Sequence, residues 1–174
     1  MSLGLAFSDG RTIYLATESA GLDNARLSSK ILDLQRGPDF ALLATGGLDH
    51  WYHVLTSYSK QPTLQAACDE IIRLLNECMS RRNQAYGLLC GFVEAKPTCY
   101  RINRPLYTNA ATYSNSDILN IVQAIGLSYH ARAARLHAQN ALKSGKDPAL
   151  ALQEAIESRI PGQGLQAPIV NMTL

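Results

Sequence analysis

Ser2 is the position where this sequence could place the most chemistry in the fewest atoms. An aminopeptidase that removes Met1 exposes a free α-amine beside the serine hydroxyl, so that nucleophile and base share one residue. An α-amino group has a pKa of about 8, close enough to neutrality to take the hydroxyl proton without a histidine. The same chemistry needs a nearby cation to favour the deprotonated forms, and amide donors aimed at the oxyanion. Taken alone, Ser2 says little, because small residues commonly follow an initiator methionine.

Other chemical arrangements are weaker. His50 and His53 fall on one helix face, and His130 and His137 follow later, but no carboxylate or cysteine stands at metal-ligand spacing with them; no metal site is expected. Ser128 and His130 with a distant aspartate would make a conventional triad, yet no GxSxG elbow is present and both residues head a helix. Cys68, Cys78, Cys90 and Cys99 have neither CxxC nor framework spacing and read as buried free thiols. Arg132 and Arg135, on one helix face, read as solvated or interfacial residues.

The composition, 47% apolar and 17% charged, is that of a globular chain, and 174 residues suit one domain with a core that needs no metal or disulfide. A net charge of +2 with scattered Arg and Lys argues against a nucleic-acid surface. The opening MSLGLAFSDG lacks a basic region and its apolar run stops at Asp9-Gly10, so it does not read as a signal peptide. No window approaches the roughly 20 apolar residues of a membrane span. The expectation is a soluble cytoplasmic protein with no membrane partner and no cofactor.

The elements that would position Ser2 begin with it. SLGLAFS and TIYLAT flank Asp9-Gly10, a two-residue hairpin signal. KILDLQ and FALLAT, separated by Gly37-Pro38, read as two more paired strands, the second apolar on both faces and therefore covered on both. Gly46-Gly47 breaks the pattern before a helix carrying Asp49, Trp51, Val54, Leu55 and Tyr58; Thr63 caps a second helix with its stripe from Leu64 to Cys78. AYGLLCGFV and TCYRIN read as a hairpin turning at Lys96-Pro97. Asp117 is placed as the cap of a helix through Ile118, Ile121 and Val122, a longer helix follows Gly126 and ends at Ser144-Gly145, and Asp147-Pro148 opens another. Pro161, Gly162 and Gly164 end it, and APIVNMTL supplies a last strand. Blocks of strands alternating with blocks of helices point to α+β layering.

The stretches SLGLAFSDGRTIYLATES, SSKILDL and LLATGGLDHW, in this order, resemble the opening of proteasome β-type subunits and of the bacterial HslV-type proteases. AIGLSYHARAARLHAQNAL is similar to that family's AIGSGG stretch entering a helix, which extends the resemblance over most of the chain. It implies a four-layer αββα sandwich with antiparallel sheets, the N-terminal-nucleophile hydrolase fold. Ser2 would match the family's nucleophilic threonine, Glu18 its acid (one methylene longer than the usual aspartate) and Lys30 its lysine. Gly46 or Gly47 would match the turn whose amide lines the oxyanion hole, and the family's later serine falls at Leu127 or Ser128.

The resemblance implies a threonine-type endopeptidase with serine substituted, acting on polypeptides inside a homo-oligomer of stacked rings, with an ATP-dependent unfoldase ring as possible partner. The sequence also departs from the family. The connection from Glu18 to Lys30 is shorter, IPGQGLQA lacks the second aspartate and serine pair, and serine lacks the methyl group that holds a threonine rotamer. These departures leave open a ring subunit or scaffold that kept the fold and lost the site, and an amidase acting on non-peptide substrates.

Overall fold

The computed structural model describes residues 3–19, 22, 26–35, 40–126, 128–159 and 165–166. They form a mixed α+β fold with four helices and two antiparallel sheets. The first sheet holds β1 (Leu3–Ser8), β2 (Ile13–Glu18), β8 (Gln123–Gly126) and β9 (Leu165–Gln166), in the order β8-β1-β2-β9. The second holds β3 (Ile31–Leu32), β4 (Phe40–Thr45), β5 (Ala85–Val93), β6 (Lys96–Arg104) and β7 (Thr112–Ser116), in sequence order. Helices α1 (Leu48–Ser57) and α2 (Leu64–Cys78) lie between β4 and β5; α3 (Ser128–Lys143) and α4 (Pro148–Arg159) follow β8.

Strand alternation sorts the apolar residues into three cores. Leu42 and Ala44 of β4 join Trp51, Val54, Ala67 and Ile71 of the first two helices. Ala41 and Leu43, on the other face of β4, join Ala6, Leu15 and Ile125 of the first sheet. Leu3, Leu5 and Phe7 of β1 turn the opposite way, toward Ala134, Leu152 and Ile156 of α3 and α4. Period-two side chains on strands buried on both faces explain why FALLAT and LGLAFS lack polar alternation. Gly4 marks the close approach of the sheets: a Cβ there would lie 2.2 Å from Leu43 Cδ2.

Caps expected from the sequence are in place. Thr63 Oγ1 accepts from the Ala66 amide at 3.1 Å, and Asp147 Oδ2 from the Leu150 amide at 3.2 Å, with Pro148 opening α4. The four cysteines are free thiols, Cys68, Cys90 and Cys99 buried and Cys78 half-buried. Burial pushes the Cys68 thiol up to about 12.

Several local expectations need correction. The first hairpin closes from Ser8 to Ile13 through residues 9–12, not through a two-residue turn, because Asp9 Oδ1 accepts both the Arg11 and Thr12 amides, at 2.9 and 2.8 Å, and so stabilises a wider loop. The β5–β6 turn is Glu94-Ala95, with φ of 50° and 64°, whereas Lys96 and Pro97 already lie in β6, paired with Val93 and Phe92. Pro97 falls beyond the stretch where β7 pairs with β6, an edge position where a missing N–H costs least. Residues 117–122 are a loop rather than a helix. Asp117 Oδ1 accepts from Leu119 N at 2.9 Å, Asn120 has φ 57°, and Ser8 exchanges bonds with Ile118 O and Asn120 N.

The strand expected over KILDLQ is confined to Ile31–Leu32. Gly37-Pro38, the 161–164 helix stop and the strand expected at 167–174 lie outside the described residues. No described helix is long and apolar enough to cross a membrane.

Candidate active site

The antiparallel register of β1 and β2 pairs Gly4 with Thr17, which brings Glu18, the last residue of β2, to the start of β1. There Glu18 Oε1 accepts the Leu3 amide at 3.0 Å. Thr17 Oγ1 donates to Leu3 O at 2.9 Å, so two consecutive residues of β2 hold Leu3 by its own backbone. This fixes the chain immediately after Ser2, although Ser2 itself lies outside the described residues.

Lys30 arrives from the second sheet. Its carbonyl accepts the Ala44 amide at 2.7 Å, which seats it beside the last residues of β4. Its Nζ donates to Glu18 Oε1 at 2.7 Å and to Oε2 at 2.8 Å. Both side chains are fully buried. Taking two charges out of water is costly unless they pair closely and other bonds complete the set, and here the carboxylate is shared between an ammonium and a backbone amide. The longer arm of Glu18, compared with an aspartate, spans both contacts. The shorter connection between Glu18 and Lys30 therefore does not prevent the pair from forming.

Gly46 and Gly47 follow two residues after Ala44, with φ of 67° and 53°. Only glycine adopts such angles without strain, and at Gly47 a Cβ would stand 2.7 Å from Gln84 O. Gly47 opens α1 and its carbonyl accepts the amides of His50 and Trp51. The amides at a helix start lack intrahelical acceptors, which makes this turn a source of donors for a developing negative charge. Ser128 opens α3, just after β8, whose Gly126 pairs with Leu3. The folded chain thus gathers the backbones of Leu3, Glu18, Lys30, Gly46-Gly47 and Ser128 from distant parts of the sequence into one end of the two sheets.

Thr45 is a residue that sequence reasoning missed. It shares the face of β4 that carries Ala41 and Leu43, so it is directed toward the first sheet, and it precedes Gly46. It is 1% exposed, and among the described residues its Oγ1 has no hydrogen-bond partner. The available signal was a hydroxyl ending an otherwise apolar, doubly covered strand. The histidines are not gathered, and no group of three His, Cys, Asp or Glu able to hold a metal occurs among the described residues. His130 stacks edge-on against Tyr129, and His53 Nε2 and His130 Nδ1 are buried without partners among the described residues.

Comparison with known proteins yields no matching family model and no matching curated protein.

Proposed function

We propose that the chain is a peptidase subunit of the N-terminal-nucleophile class, built as a four-layer αββα sandwich and working in stacked rings of the proteasome and HslV type. The observation that carries this reading is the buried Glu18 carboxylate, which binds Lys30 Nζ on one side and the Leu3 amide on the other. A fixed cation is thereby held next to the residue that follows Ser2. The three cores support the layering, because each sheet has one face toward the other sheet and one toward a helix pair.

With Met1 removed, Ser2 Oγ attacks the peptide carbonyl carbon and its proton passes to the Ser2 α-amine, through a water. The positive charge of Lys30 favours the deprotonated forms of both groups, and Glu18 keeps Lys30 in place. The new C–O bond leaves an oxyanion that the Gly46 or Gly47 amide stabilises. Collapse breaks the C–N bond as the α-ammonium returns its proton to the leaving amine. Water then hydrolyses the ester and restores Ser2. By the resemblance, Leu127 or Ser128 would correspond to the family's later serine.

Intact mass of protein produced in cells tests the first step, since retained Met1 rules out the mechanism. For the processed chain, a peptide epoxyketone, which needs both hydroxyl and free amine, should add once at Ser2, and Ser2→Ala should abolish the adduct. Processed protein that forms no adduct would instead be a non-catalytic ring subunit.

A further inference from the structure

Arg101 lies in β6, yet its side chain crosses to the first sheet: Nη1 donates to Ala124 O at 2.9 Å and Nη2 to Gln123 Oε1 at 3.1 Å, both on β8. Both acceptors are neutral. Above them α3 brings Arg132 and Arg135, one turn apart, to the rim of a cavity of about 190 Å³ lined by Arg101, Ala124, Ala131, Arg132 and Arg135. Among the described residues none of the three arginines makes an ion pair. The half-buried Arg101 is held below the ordinary arginine value by desolvation; Cys99 opposes this, and the charge of Arg135 adds a smaller push the same way. Like charges three positions apart on a helix repel, so this corner holds uncompensated positive charge around an open space.

We propose that this cavity binds a compact, multiply charged oxyanion of the phosphate class. Guanidinium forks match the tetrahedral oxygens of phosphate, and further N–H donors remain on Arg101 once its bonds to β8 are made. Three cations favour a multiply charged group over a single carboxylate. The cavity has room for a diphosphate as well as an orthophosphate. This site is separate from the Glu18 and Lys30 pair and does not depend on the peptidase reading.

The test is calorimetric titration with inorganic pyrophosphate at ionic strength fixed by sodium chloride. Three proteins are compared: the unaltered chain, Arg132→Ala/Arg135→Ala, and Arg81→Ala/Arg82→Ala, which removes the same net charge from an exposed turn elsewhere. Alanine is the best helix former, so the α3 variant should keep its fold, and its urea midpoint verifies this. The unaltered chain and the Arg81/Arg82 variant should bind with a Kd of about 1 mM or tighter, and the Arg132/Arg135 variant at least tenfold more weakly, a loss of about 1.4 kcal/mol. Weaker binding by the unaltered chain, or a loss under tenfold, overturns the proposal. A parallel titration with phenyl phosphate separates the sources: comparable binding assigns the cavity to an attached phosphate as well, and exclusion assigns it to the free ion.

Discussion

Among the described residues, two polar ties between the sheets are built on opposite principles. In one, Lys30, just before β3, reaches Glu18 of β2, and both charges vanish into a fully buried pair. In the other, Arg101 of β6 reaches β8 but meets only a backbone carbonyl and an amide oxygen, and two more arginines stand nearby. The first tie is closed, with its charge balanced inside the protein. The second is open and has charge to offer. A closed pair suits a task that needs a fixed local field, whereas an open excess suits a ligand that arrives and leaves.

The largest effect that can separate them is the loss of one partner. Lys30→Met leaves the Glu18 carboxylate buried without its ammonium and should cost about 3–5 kcal/mol in urea unfolding, and Glu18→Leu about the same. The double variant should recover most of this, because an apolar pair of similar volume needs no compensation. Single losses below about 1 kcal/mol would place the pair in the class of surface ion pairs and dissolve the contrast. Arg101→Met should cost less, about 1–2 kcal/mol, since its acceptors are neutral and half-open to water. Equal costs at the two ties would also break the comparison.

Gly47→Ala probes the turn beside the closed tie. Its φ of 53° and the 2.7 Å approach to Gln84 O predict a loss of about 1–3 kcal/mol. Gly145→Ala, with φ 86° but open space around the added carbon, keeps only the backbone part of that cost. Differential scanning calorimetry of the two variants should therefore rank Gly47→Ala as the more damaging.

How much of this was legible in the sequence follows from what each residue's type reveals. The doubly covered strands were readable because burial on both faces leaves no polar alternation, and the helices of α2 and α4 because their caps are local. Glu18, Lys30 and Gly46-Gly47 were readable only as an ordered set, through a resemblance; their contacts depend on register between elements distant in the chain. The helix expected at 117–122 failed for a specific reason. Ile118 and Val122 stand four apart, a helical spacing, yet Ile118 enters the core between the sheets and Val122 the core under α3 and α4. A spacing cannot show that two apolar residues serve different cores. Arg101 was equally opaque, because a charged residue in a strand carries no sign of which sheet it will reach.

Thr45 tests the closed tie with the smallest change and the opposite sign. A buried hydroxyl with no partner is a standing cost, and Thr45 is 1% exposed with Oγ1 unbonded among the described residues. Thr45→Val keeps the branched shape and removes the orphan group, so urea unfolding should show a gain of about 1 kcal/mol. If the hydroxyl serves substrate at the proposed site, epoxyketone labelling of the processed chain should slow in the same variant. Stability and labelling would then move in opposite directions. A gain in stability with unchanged labelling would make Thr45 a packing residue, and a loss of stability would mean that the hydroxyl has a partner in the folded protein. Such a reversal has no counterpart at the open tie, where removing a polar contact from Arg101 should lower stability.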